Sequence, residues 1–271
     1  MSVSSTARRS EAKAGGKPQR AGDPLLVLSV EKAFRVLSAF GSERPTMNLS
    51  QVAAAAGMEV SAAQRFTHTL LRLGYLKKDP QTKRFELTSK TLELGYHFMR
   101  GNRLIGRALP YLLHLSRETE ETVNLTLLEG TEIVFVSRFM SRHMLNIDII
   151  IGTRMPAYCT APGVAMLSRL PEPEAIAILQ QSDRKAHTPS TTWRMEDLVT
   201  KLRTSRLQGF ATAFDEYFHG DASTAAAVLD AQGRPEGAVN IAVSLARFSR
   251  EEARERFAPL VVATARAISA G

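Results

Sequence analysis

Apolar side chains recur at helical spacing in two successive stretches. Leu49, Val52, Ala53 and Ala56 share one face, and Ala63, Phe66, Leu70 and Leu73 form a second stripe. Gly57 stands between them, where a left-handed helix cap favours a residue without Cβ. Ser61 offers a hydroxyl as N-cap of the second stretch. The spacing predicts a short helix, a glycine turn and a longer helix. Upstream, Val30, Ala33, Phe34 and Leu37 predict a supporting helix capped by Ser29 and ending near Gly41. Downstream, residues 74–78 and 84–87 flank Asp79-Pro80-Gln81-Thr82, a turn-forming cluster, and predict a β-hairpin. Three helices and a hairpin make a winged helix-turn-helix. The polar face of the third helix carries Ser61, Gln64, Arg65, His68 and Arg72, groups suited to base edges and phosphates. Lys77, Lys78, Lys83 and Arg84 put positive charge on the wing, within reach of a duplex backbone.

Beyond the wing, Thr88 or Ser89 caps a helix running to Met99. Leu92, Leu94, Tyr96, Phe98 and Met99 cover more than one of its sides, a pattern that predicts packing against a second subunit. Gly101-Asn102 marks a boundary, dividing the chain into a tail (1–23), the winged unit (24–88), a linker helix (89–103) and a second domain (104–271). In that domain the pattern turns mixed. Helices are expected at 108–120, with Pro110 in the first turn, and at 163–169, 172–181, 195–207 and 249–269. Strands are expected at 122–128, 133–138, 144–151, 209–213, 223–229 and 238–244. The expected class is therefore α+β: an amino-terminal helical unit with a wing, then one α/β domain of sensor size.

Charge sharpens the division. Of the net +8, residues 1–103 hold 17 Lys+Arg against 8 Asp+Glu, and the rest hold 18 against 19. The excess falls where a polyanion would be met, although Arg8, Arg9, Lys13, Lys17 and Arg20 of it lie in a tail that reads as disordered. No apolar run approaches the ~20 residues of a membrane span, and no secretory signal is visible. The single cysteine, Cys159, excludes an internal disulfide framework and fits a reducing cytoplasm.

Catalytic signatures are absent: the chain contains no HExxH, GxSxG, P-loop or GxGxxG. No cofactor or metal is expected, since one cysteine and scattered histidines cannot build a zinc site. Cys159 reads as a buried structural thiol, the Asp215–His219 pair as a packed loop, and Trp193 as a core or capping residue. The alternative of a small-acid-processing enzyme with an accessory DNA unit would need convergent titratable groups that the sequence does not offer. An RNA-binding or architectural protein is the third reading; preference for structured RNA over a palindromic duplex would mark it.

The order of parts resembles the IclR family of bacterial transcriptional regulators, from about Leu28 to the C-terminus. Residues 57–75 match, with Ser61, Arg65, Leu70, Gly74 and Tyr75 in family positions, as do Arg84-Phe85-Glu86-Leu87-Thr88 and Leu94-Gly95. The strongest match is Gly152-Thr153-Arg154-Met155-Pro156-Ala157-Tyr158-Cys159-Thr160-Ala161-Pro162-Gly163, completed by Gly209-Phe210-Ala211, Asp215-Glu216 and Gly220. Its Arg-Met-Pro-Ala-Tyr-Cys-Thr wording is most similar to the branch responding to aromatic acids. The resemblance implies a homodimer or dimer of dimers on a palindromic promoter site, and a GAF-like carboxy-terminal domain that binds a small carboxylate effector. It places Thr160, Ala161, Pro162 and Gly163 at the carboxylate, Ser223 and Asn240 among the polar pocket members, and Leu145 and Met155 in the apolar walls. There are three departures from the family pattern. Pro162 lacks an N–H, Val164 replaces a customary Lys or Arg, and Glu59-Val60-Ser61-Ala62 replaces Pro-Lys-Ser-Thr.

Overall fold

A computed structural model describes residues 25–143 and 149–271. The tail (1–23), Leu145 and most of the strand expected at 144–151 lie outside the described residues; Ile149, Ile150 and Ile151 are in no strand. The chain divides into two compact units, with the boundary in sequence between Glu93 and Leu94.

In the first unit, α1 (Leu28–Ser38), α2 (Leu49–Ala55) and α3 (Val60–Arg72) precede β1 (Leu76–Lys78) and β2 (Phe85–Leu87). The two strands pair antiparallel, Lys77 opposite Glu86. A small core of Val36, Phe40, Met47, Val52, Leu70, Leu76 and Phe85 joins helices to wing. The supporting helix is rotated from its expected phase: Val36 is fully buried, whereas Val30 and Phe34 are more than half exposed. Its apolar residues lie on two faces, so periodicity alone does not choose between them. Ser29 is not its cap; the helix starts at Leu28 behind Val27, and no side chain caps it.

A 3-10 turn (Ser89–Thr91), capped by Thr88, runs into α4 (Leu92–Gly101). Leu92, Leu94, Tyr96 and Phe98 are all exposed there. Next, α5 (Arg103–Thr119) is capped by Asn102, whose side chain accepts from the Ile105 N–H at 3.1 Å. Because this helix begins five residues before the expected start, Pro110 lies in its interior, not in its first turn.

The second unit is built on β3 (Thr122–Glu129), β4 (Glu132–Phe139), β5 (Arg154–Pro156), β6 (Ala211–Phe214), β7 (Asp221–Leu229) and β8 (Pro235–Ser244). They form one antiparallel sheet in the order β5-β4-β3-β8-β7-β6. On one face α5 and α9 (Arg250–Ala270) bury Leu112, Val123, Ile241, Phe257 and Val261. On the other, α6 (Ala161–Leu167), α7 (Glu172–Gln181) and α8 (Met195–Gln208) cover Ile133, Phe135, Met155, Tyr158, Leu179 and Leu198. Burial of some twenty apolar side chains on each face supplies the main driving force for this domain. Trp193 joins neither core: it is 42% exposed just before α8.

Candidate functional site

The polar face expected on the third helix is formed by α3. Its approach is set by a glycine cap: Gly57 has φ +62°, the Gly57 N–H reaches the Ala54 carbonyl at 3.2 Å, and the Met58 N–H reaches Ala53 at 3.0 Å. Ala63, Thr67 and Leu70 turn inward, leaving Ser61, Gln64, Arg65, His68 and Arg72 exposed. Two details differ from expectation. Ser61 is not the N-cap; Glu59 holds that place without a side-chain bond, because the helix starts at Val60. Leu73 is 53% exposed, since it follows the last helical turn and the buried stripe ends at Leu70.

Gln64, Arg65 and His68 share a groove with Lys78 of the wing, floored by Leu49, Leu71 and Phe85. Lys78 lies over the Phe85 ring at 5.1 Å, and Lys77 pairs with Glu86 at 2.7 Å. Lys83 is exposed with a left-handed backbone, φ +58°. Arg84 is turned the other way. Its guanidinium donates to the Thr46 hydroxyl and carbonyl at 3.1 and 3.2 Å and to Gln51 Oε1 at 3.1 Å, tying the wing to the start of α2.

The second site is a cavity between the sheet and α6, with about 620 Å³ of empty space when its mouth and the open solvent there are included. Of the residues expected there, Met155, Thr160, Ala161, Pro162, Ser223 and Asn240 line it. Gly163 is buried behind that lining. A Cβ built on it would lie 2.2 Å from the Ala157 carbonyl oxygen, so only glycine lets α6 pack on the turn formed by Ala157–Cys159. The Val164 N–H bonds the Thr160 carbonyl at 2.9 Å and Pro162 has none to give, leaving Ala161 and Gly163 as the amides of the first turn.

Several lining residues were not foreseen. On the cavity floor a polar rail crosses four strands: Arg138 donates to Asn124 (3.0 Å), Asn124 to Asn240 (3.3 Å), and Asn240 to Ser223 (3.0 Å). Asp221 adjoins it. Burial holds Asp221 protonated up to about 7, with Asp215 adding to the shift and Arg138 opposing it. Burial also lowers the Arg138 pKa, and Asp221 counters that shift. Phe135, Ile149, Tyr217 and Phe218 form apolar and aromatic walls, Tyr217 and Phe218 meeting edge to face at 4.7 Å. The signal was present in the sequence: Thr122, Asn124 and Thr126 on β3, like Asp221 and Ser223 on β7, are polar at every second residue of strands rich in apolar side chains.

Cys159 also lines the cavity; burial, with Glu216 nearby, pushes its thiol up to about 12, so it is no nucleophile. Glu216 is closed off by Lys201 and by the Thr192 N–H at 3.1 Å. Asp215 organises the β6–β7 turn, accepting from the Gly220 N–H at 2.7 Å and from Arg250 at 3.0 Å. Among the described residues no cluster of three or more His, Cys, Asp or Glu could hold a metal, and no helix is long and apolar enough to cross a membrane.

Comparison with known proteins agrees with both halves. Residues 29–80 match the IclR helix-turn-helix domain, and residues 97–270 match the bacterial transcriptional regulator IclR C-terminal domain. The chain is 30% identical to the Pca regulon regulatory protein of Pseudomonas putida, over 90% of this chain and 84% of that one. A crystal structure from Rhodococcus sp. RHA1 superposes with a TM-score of 0.80 at 32% identity, covering 90% of this chain and 98% of the other. An IclR homologue of Microbacterium hydrocarbonoxydans, solved in complex with 4-hydroxybenzoate, shares the fold with a TM-score of 0.75 at 21% identity, covering 89% and 98%. The chain thus belongs to the IclR family: it is a DNA-binding transcriptional regulator with a helix-turn-helix unit and a carboxy-terminal effector-binding domain.

Proposed function

We propose that this regulator releases or re-grips a palindromic promoter site in response to a small carboxylate, an aromatic acid, bound in the cavity of the second unit. The carrying observation is the make-up of that cavity. Arg138 and the amide–hydroxyl rail Asn124–Asn240–Ser223 lie on its floor, the first-turn amides of α6 edge its roof, and Phe135, Tyr217 and Phe218 stand around it. Such a cavity offers a carboxylate charge-assisted hydrogen bonds and an aromatic ring edge-to-face or stacked contacts. The 4-hydroxybenzoate complex of the Microbacterium hydrocarbonoxydans homologue supports the same ligand class.

On the DNA side, Gln64, Arg65 and His68 meet base edges, while Ser61, Arg72 and Lys83 reach phosphates; Arg84 acts by fixing the wing. Two or four copies hold the palindrome, and effector binding favours one arrangement of the paired reading heads over another. The test is a titration of a duplex from the protein's own promoter, with and without 4-hydroxybenzoate and related acids. Specific binding should weaken steeply with salt. Arg65→Ala should cost about 1–3 kcal/mol of affinity at unchanged melting temperature, and the acid should shift the wild-type titration. A salt-insensitive complex, an unaffected Arg65→Ala variant or indifference to every acid would each overturn the reading.

A further inference from the structure

The cavity floor holds one carboxyl that the protein itself leaves unsatisfied. Asp221 opens β7 and lines the cavity, yet its carboxyl accepts no hydrogen bond and joins no ion pair among the described residues. The other described acids near it are engaged. Glu216 on the β6–β7 turn is held by Lys201 of α8 and the Thr192 N–H. Asp215 on the same turn is held by the Gly220 N–H and by Arg250 of α9, with exposed His219 beside it. Glu121, ahead of β3, pairs with Arg247 beyond β8 at 2.7 Å. From the turn before α6 the cavity receives the Cys159 thiol and the Thr160 hydroxyl, and from the β6–β7 turn also the Tyr217 phenol. From β4 it receives Arg138, whose guanidinium donates to Asn124 and whose charge acts on Asp221.

A half-buried carboxyl whose charge is balanced, among the described residues, by Arg138 tolerates ionisation less well once a second negative group enters. Two anions in a cavity of low polarisability repel by several kcal/mol at a few ångströms, so an arriving carboxylate leaves one of the two protonated. The effector's carboxylate is drawn toward the Arg138 charge on the floor, whereas Asp221 has no donor of its own among the described residues. We infer that a carboxylate effector enters this cavity together with one proton, which Asp221 holds, and that Asp221 is thereby the residue that sets the charge of the ligand the pocket accepts. This rests on the cavity being the effector site. Its consequence is proton-linked regulation: a carboxylate binds more weakly as pH rises, while a neutral isostere of the same shape is indifferent.

The full-length protein is titrated calorimetrically with 4-hydroxybenzoate and with 4-hydroxybenzamide, from pH 6 to 8.5, in two buffers of different ionisation enthalpy. The acid should take up about one proton near pH 8, and its affinity should fall about tenfold per pH unit once the apo carboxyl is ionised. The amide should show neither effect. In Asp221→Asn the acid should bind without proton uptake and with a flat pH profile, an outcome that a merely structural role would not produce. Uptake that is absent in the wild type, or a slope retained in the variant, would overturn the inference. If 4-hydroxybenzoate fails to bind at any pH, the effector reading fails for that acid, and the carboxyl is tested in the apo protein. The folded Asp221 pKa lies near 7, above its unfolded value. Ionisation is therefore the less stable state in the fold, and the wild type should lose melting temperature relative to Asp221→Asn between about pH 4 and 7. A gap that stays constant over that window would overturn the inference on its own.

Discussion

Gly163 decides how closely α6 approaches the turn beneath it. Its missing Cβ is what permits contact with Ala157, whose backbone atoms would lie 2.2–2.6 Å away. Gly163→Ala should destabilise the protein by about 1–3 kcal/mol through overpacking, read as a lowered denaturant midpoint at constant slope. The same change should weaken effector binding, because the first-turn amides move with α6. At this scale the sequence was legible where a residue has one geometric use. Gly57 at a helix end and Met155, Ser223 and Asn240 at the cavity were identified from pattern and resemblance. Arg138 and Asp221 were not, since their meaning comes from strands 80 and more residues apart being folded onto one floor. Arg84 misleads for a related reason: an arginine on a wing reads as a phosphate contact until Thr46 and Gln51 are seen to accept its hydrogen bonds.

Elements were read best where cap and periodicity coincide. Thus α9 begins behind Ser249 in a capping box, the serine accepting from the Glu252 N–H and Glu252 from the Ser249 N–H; residues 172–181 form α7 as expected without a side-chain cap, behind Pro171. Ser249→Ala should accordingly cost about 1 kcal/mol of stability, measurable by chemical denaturation; a neutral result would mean that packing along Phe257 and Val261 alone fixes the helix start. Elsewhere a competing rule prevailed. Ser29 and Ser61 are good caps by type, but both helices start one residue before them. The start of α5 was hidden because Gly101 and Gly106 look like linker. The three-residue β5 was missed because so short a run shows no alternation, and its Pro156 is admissible only on a sheet edge.

For the molecule as a whole, one marked stretch of exposed apolar surface is on α4, where Leu92, Leu94, Tyr96 and Phe98 face outward at 45–71% exposure. Single exposed apolar residues are ordinary, but four on ten residues signal a partner surface, and a second copy of the chain is the occupant the sequence already suggested. Sedimentation of the wild type should show a self-association that Tyr96→Asp shifts toward monomer, while its circular dichroism spectrum stays the same. A monomeric wild type at micromolar concentration would count against the paired arrangement. The division of the second unit's interior has a different consequence. Side chains that shape the cavity belong to the α6 face of the sheet, while the α5 and α9 face is filled by a separate set. Half of the domain is thus free to diverge without endangering the other half, which lets one scaffold be re-tuned to new chemical signals over evolutionary time.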